Sequence, residues 1–267
     1  MDNRAIGVFD SGLGGLTAVR ALRERAPLES VVYFGDTGRV PYGTRSAETI
    51  TRYTRQALSF LHTFNIKTVI VACGTVSSAA FPLLTAEEKA GLTGVVEPAV
   101  TRAVGFAPNG RVGLIGTAAT VASRAYHDAL RNHNAAMTLT AAACPLLVPL
   151  VENGRCHPGD FVAETVAREY LAQIKQNDVD CLILGCTHYP LLSEVIAAEM
   201  GPKVTLIDAG REAALAALEN LCSLDALADA KSPDRYYVSD SAPGFAALAS
   251  VFLNEDLQGR VEKTTLP

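Results

Sequence analysis

The chain has 267 residues, 49% of them hydrophobic, and carries 23 Lys and Arg against 28 Asp and Glu, a net charge of −5. That length and composition can bury a sizeable core, and the mild acidity offers no basic footprint for nucleic acid and no polybasic membrane patch. No apolar stretch approaches the ~20 residues of a membrane helix, and the run at 6–9 lacks the length and flanks of a signal-peptide core, so a cytoplasmic protein is expected. Short β-branched runs alternate with longer helical patterns. In chain order, strands are predicted at 6–9, 31–34, 68–72, 95–96, 112–115, 139–143, 181–184 and 204–207. Helices are predicted at 16–25, 47–64, 123–132, 160–176 and 191–200. Near-continuous apolar strands separated by helices specify an α/β fold with parallel sheets covered on both faces.

The loops after these strands hold the polar motifs. Asp10-Ser11-Gly12-Leu13-Gly14-Gly15 follows the first strand and opens a helix. It matches a dinucleotide fingerprint poorly, because Thr17 stands where the third glycine belongs and Asp10 would repel a pyrophosphate. The turn better suits a small anion approached by Ser11 and backbone N–H groups at a helix N-terminus. It also reads as a plain tight turn with Asp10 or Ser11 as N-cap. Residues 35–43 form a loop in which Asp36, Pro41, Tyr42 and Gly43 offer a carboxylate, a hydroxyl and backbone donors. Loops at strand ends carry function more often than cores do.

Six cysteines stand at 73, 144, 156, 181, 186 and 222. Their wide spacing argues against a disulfide framework, and with no C-x-x-C pair a structural zinc site is not expected. Four of them read as small core residues. Cys73, in Cys73-Gly74-Thr75, lies where a strand meets a helix, whose positive end is expected to lower the thiol pKa below its usual ~8.5. Cys186-Thr187-His188-Tyr189-Pro190 places a histidine two residues beyond a second strand-end cysteine, where it can hold or relay a proton. Glu152 precedes a Gly at a helix end and points either into a cleft or into solvent.

The chain also carries a loose internal repeat. Residues 69–75 resemble 182–188, and 6–10 resemble 112–116. Two similar lobes follow, residues 1–97 with the returning tail 209–267 and residues 98–208, with the active site in the cleft where strand C-termini meet.

The set Asp10-Ser11-Gly-x-Gly-Gly, Gly35-Asp36 to Pro41-Tyr42-Gly43, Ala72-Cys73-x-Thr75 and Gly185-Cys186-Thr187-His188-Tyr189-Pro190 resembles the bacterial glutamate racemases of the aspartate/glutamate racemase superfamily. The likeness runs from Ile6 to about Ala214. It implies interconversion of L- and D-glutamate with no cofactor and no metal, D-glutamate supplied to peptidoglycan, and a homodimer. By this resemblance Cys73 and Cys186 are the acid/base residues, assisted by Asp10 and His188. The substrate would be lined by Asp10, Ser11, Pro41, Tyr42, Gly43, Gly74, Thr75, Thr187 and His188, with Asp36 and Glu152 as further polar residues of the site. None of the four motifs contains the lysine that a pyridoxal enzyme needs. Members of the family usually carry Asn where this chain has Gly74. The missing amide is expected to cost about one hydrogen bond, roughly 0.5–1.5 kcal/mol. Some members are activated through an N-terminal extension; with the first strand at about Ile6, no such control is expected here.

Overall fold

A computed structural model describes residues 1–266. Its strands are β1 (Ala5–Asp10), β2 (Val31–Gly35), β3 (Ile66–Val71), β4 (Leu92–Gly94), β5 (Arg111–Gly116), β6 (Thr138–Ala143), β7 (Cys181–Leu184), β8 (Thr205–Asp208), β9 (Arg235–Val238) and β10 (Val261–Lys263). They form two wholly parallel sheets, ordered β10-β9-β2-β1-β3-β4 and β6-β5-β7-β8. The repeat seen in the sequence is thus a repeat of topology, since β2-β1-β3-β4 and β6-β5-β7-β8 have the same order. In such a sheet the chain reverses direction between its first and third strands, and that switch point is where ligands bind. Cys73 lies just beyond β3 and Cys186 just beyond β7, so each thiol stands at the switch point of its own lobe.

The strands read as continuous apolar runs because both faces are covered. One face of the first sheet shares a core with the second lobe, and helices Leu16–Arg25, Val96–Phe106 and Ala209–Ser223 pack into it. The other face, with Phe9, Phe34 and Val71, is covered by helix Ala47–Leu61 through Ile50, Ala57, Leu58 and Leu61.

Three local expectations change. The strand expected at 95–96 is displaced to β4, and Val96 begins helix Val96–Phe106. Pro98 decides this, because its fixed φ suits a first helical turn and its missing N–H would interrupt a ladder. The helix expected at 123–132 is Ala125–His133, and a short helix, Ala118–Ala122, precedes it. Thr117 caps Ala118–Ala122 by accepting a hydrogen bond from Thr120 N at 3.2 Å, and a left-handed Arg124 (φ 59°) separates it from Ala125–His133. Pro190 holds Tyr189–Leu192 in a 3₁₀ turn before helix Ser193–Met200. The tail also contributes elements that its sequence did not announce. β9 and β10 extend the first sheet beyond β2, and helix Ala242–Leu253 packs on helix Leu16–Arg25.

Candidate active site

A cleft of about 410 Å³ opens between the two sets of strand ends. Ser11, Pro41, Tyr42, Gly43, Cys73, Gly74 and Thr75 line it from the first lobe. Thr117, Glu152, Cys186, Thr187 and His188 line it from the second, beside an apolar wall of Pro145, Val148 and Pro149. The lining holds no Lys or Arg. Any anionic ligand there is held by hydroxyls, backbone N–H groups and His188.

On the first wall, Cys73 Sγ lies 3.3 Å from Ser11 Oγ. The thiol is buried, and burial together with the negative charge of Asp10 pushes it up to about 12, against the opposing effect of Ser11. The expected lowering by a helix N-terminus is outweighed, although the Val76 N–H at the start of the helical segment does act in that direction. The segment after Cys73 is a single π-helical turn, Val76–Ala80, too short to outweigh desolvation and a neighbouring carboxylate. Asp10 is itself buried. It accepts from Gly12 N at 2.8 Å and from Thr187 Oγ1, across the cleft, at 3.4 Å. Burial raises its pKa, while His188 and these donors pull the other way. Neither Asp10 nor Ser11 caps helix Leu16–Arg25, which starts after Gly15 without a side-chain cap.

On the second wall, Cys186 Sγ lies 3.9 Å from His188 Nδ1, and His188 Nε2 lies 3.0 Å from Glu152 Oε1. Burial alone would lower the His188 pKa. The contacts with Cys186 and Glu152 and the field of Asp10 outweigh it and raise the imidazole to about 10. Glu152 therefore reaches the site, holding the far side of the histidine ring.

Asp10 and Asp36 are absent from the cleft lining and act from behind it. Asp36 is fully buried and accepts hydrogen bonds from the Tyr42 hydroxyl, from Arg39 Nε at 2.6 Å and from Ser239 Oγ at 2.7 Å. It fixes Tyr42 and, through Ser239, ties the tail to the site.

The lobes meet by direct contact. Thr75 Oγ1 and Thr117 Oγ1 are 2.9 Å apart. A Cβ placed on Gly14 would lie 2.0 Å from Thr187 Oγ1, and one on Gly43 would lie 2.9 Å from Thr117. Thr117 was not singled out in the sequence, although the repeat held the signal: it follows β5 as Ser11 follows β1. The apolar wall at 145–149 had no such signal, because its residues carry no chemistry of their own.

Among the described residues no group of three or more His, Cys, Asp and Glu side chains could hold a metal ion, and no helix is long and apolar enough to cross a membrane.

Comparison with known proteins agrees with this architecture. The model of the Asp/Glu/Hydantoin racemase family matches residues 17–217. A glutamate racemase of Geobacter metallireducens is 42% identical over 256 residues, covering 95% of this chain and 94% of the relative. The crystal structure of a glutamate racemase isoform from Bacillus anthracis superimposes with a TM-score of 0.92 at 33% identity, covering 100% of this chain and 98% of that one. A glutamate racemase from Francisella tularensis in complex with D-glutamate gives 0.90 at 35% identity, covering 99% and 98%. A match over most of the length, on a chain whose two lobes each bring a cysteine to one cleft, places this protein in the Asp/Glu/hydantoin racemase family.

Proposed function

We propose that this protein is a glutamate racemase that passes protons between Cys73 and Cys186 on opposite walls of the cleft. The carrying observation is the placement of one thiol at each lobe's switch point, both lining a single cavity. Racemisation removes the Cα proton from one face and returns a proton to the other. One base cannot serve both faces of a bound carbanion, whereas two facing thiols can. In one direction a thiolate takes the Cα proton and becomes a thiol, while the opposite thiol gives its proton to Cα and becomes a thiolate. The reverse direction exchanges the roles.

The electrostatics distinguish the two walls. Cys73, pushed up to about 12, is a neutral thiol at pH 7, ready to donate. His188, raised to about 10, is an imidazolium at the same pH and stands 3.9 Å from the Cys186 thiol on the opposite wall. The developing enolate is met by N–H and hydroxyl donors at the strand ends, including Ser11, Thr75, Thr117 and Thr187. The same reading makes the enzyme cofactor-independent, cytoplasmic and homodimeric, with its D-glutamate feeding peptidoglycan. It takes residues 1–97 with 209–267 as one lobe and 98–208 as the other.

The test is optical. The wild-type protein should abolish the circular dichroism of either L- or D-glutamate, and Cys73→Ala or Cys186→Ala should reduce the rate by at least about a thousandfold, as expected when one member of an acid/base unit is removed. In D2O, initial product from either enantiomer should carry deuterium at Cα. Full activity in either variant, or retention of the original hydrogen, refutes the two-thiol reading. Unchanged optical activity of glutamate identifies a different substrate or a binding protein on the same scaffold.

A further inference from the structure

Tyr126 lies in the first turn of helix Ala125–His133 and is 1% exposed, yet its hydroxyl has no hydrogen-bond partner. A buried hydroxyl left in this state costs about 1–3 kcal/mol, and such groups in native proteins call for a reason. The position of the hydroxyl supplies one. A Cβ placed on Gly185 would lie 3.6 Å from it, so it stands against the residue that precedes Cys186. Gly185 is also one of the points at which the two lobes touch, because its carbonyl oxygen faces Gly74.

The neighbouring buried phenol behaves differently. The Tyr189 hydroxyl donates to the Cys144 carbonyl at 2.9 Å and the Gly116 carbonyl at 3.3 Å, so it is spoken for. Tyr126 alone of the two retains a free donor. Burial, then negative charge at Cys186 and Cys73, raises its pKa, so it keeps its proton across the working pH range.

We propose that Tyr126 is a positioning residue that turns its hydroxyl toward Cys186 when that thiol is ionised and stabilises the thiolate by a hydrogen bond. A donor with no partner in one protonation state and a charged acceptor in the other contributes only when the thiolate forms. This role rests on the two-thiol reading above. The other groups acting on Cys186 or on its histidine are His188 and Tyr189 from its own turn, Cys144 at the end of β6, Glu152 from helix Leu147–Glu152, and Asp10 from the opposite lobe.

Tyr126→Phe removes only the hydroxyl. The pH dependence of Cys186 alkylation by iodoacetamide, located by peptide mass spectrometry, reads the thiolate directly and does not require turnover. The midpoint in the variant should move up by about one pH unit or more, the scale of a charge-assisted hydrogen bond. The acid limb of kcat/KM for glutamate should move with it, with KM within about twofold of wild type, because the lost bond is made to the thiolate and not to bound substrate. The melting temperature should hold or rise, because no native bond is lost. An unmoved alkylation midpoint, or a melting temperature lower by several degrees, overturns the assignment. A shifted midpoint in a protein that does not racemise glutamate keeps the assignment and refutes the substrate reading instead.

Discussion

A Cβ placed on Gly74 would lie 1.9 Å from the Gly185 carbonyl oxygen and 3.0 Å from its carbon, both backbone atoms of the opposite lobe. Ordinary contact begins near 3.4 Å, so any side chain at 74 must drive the strand ends apart. The sequence suggested that Gly74 merely lacks an amide that its relatives use. In the structure it is instead the residue that lets β3 and β7 end backbone against backbone. Gly74→Asn, which supplies the amide that the resemblance led one to expect, should therefore lower kcat/KM. A displacement on the order of 1 Å between two reacting walls can cost about a hundredfold, and Gly74→Ala should show most of the same loss. An Asn variant more active than wild type would show that the lobes need not meet so closely. The remaining side chains at the site follow a similar division. Those that touch the cleft, such as Tyr42, Thr75 and His188, stood out in the sequence as polar groups in strand-end motifs. Asp36 stood out as well, but whether it lined the cleft or anchored Tyr42 from behind depends on a partner, Ser239, more than two hundred residues away in the chain.

At the scale of elements, the tail is the part that local pattern did not announce. β9 and β10 are four and three residues long, too short for a periodic signal. Tyr236, Phe245, Phe252 and Leu257 of the tail join the shared apolar core, and long-range polar contacts hold the segment that leads to them. Lys67, at the start of β3, is 1% exposed at its side chain and pairs with the equally buried Glu29 at 2.8 Å. Its ammonium group also donates to the Asp2 carbonyl at 2.7 Å and the Ala226 carbonyl at 2.8 Å, while Glu29 Oε1 accepts from Ala228 N at 2.9 Å. One buried ion pair thus fastens the N-terminus and the segment leading to β9 onto the first sheet. Lys67→Met keeps the stem and removes the charge, leaving Glu29 uncompensated. Breaking a buried pair in this way costs about 3–5 kcal/mol. Urea denaturation should show that loss, while Glu29→Gln with Lys67→Met should recover part of it. A cost below about 1 kcal/mol would mean that water reaches the pair and the tail is held by other contacts. Five helices and the central strands were legible because apolar periodicity is local, whereas helices Val96–Phe106 and Ala209–Ser223 were not among those expected. Val96 and Arg124 escaped because a single proline and a left-handed residue reset the boundaries.

At the scale of the whole molecule, the two lobes are joined through charge as well as close packing, and that joint is sensitive to pH. His188 belongs to the second lobe, but its ring meets Phe252 of the tail edge-on at 5.8 Å between centroids and lies in the field of Asp10 from the first lobe. Its own lobe presents Cys186 and Glu152 to it. These groups raise the imidazole from 6.5 to about 10 even though burial opposes them. A pKa raised on folding means that the folded state binds the proton more tightly than the unfolded chain does. The resulting stabilisation is complete below about pH 6.5 and is lost as pH rises through about 10. Asp10 has the opposite sign. Burial raises its carboxyl, so its ionisation opposes folding, and the His188 cation is among the groups that offset this. Replacing His188 by Asn removes the titrating cation and keeps a polar side chain. The difference in melting temperature between wild type and His188→Asn should be largest near pH 6 and should shrink steadily toward pH 10, as measured by calorimetry across that range. A difference that stays constant with pH would place the His188 proton outside the folding equilibrium and confine the ring's role to packing against Phe252.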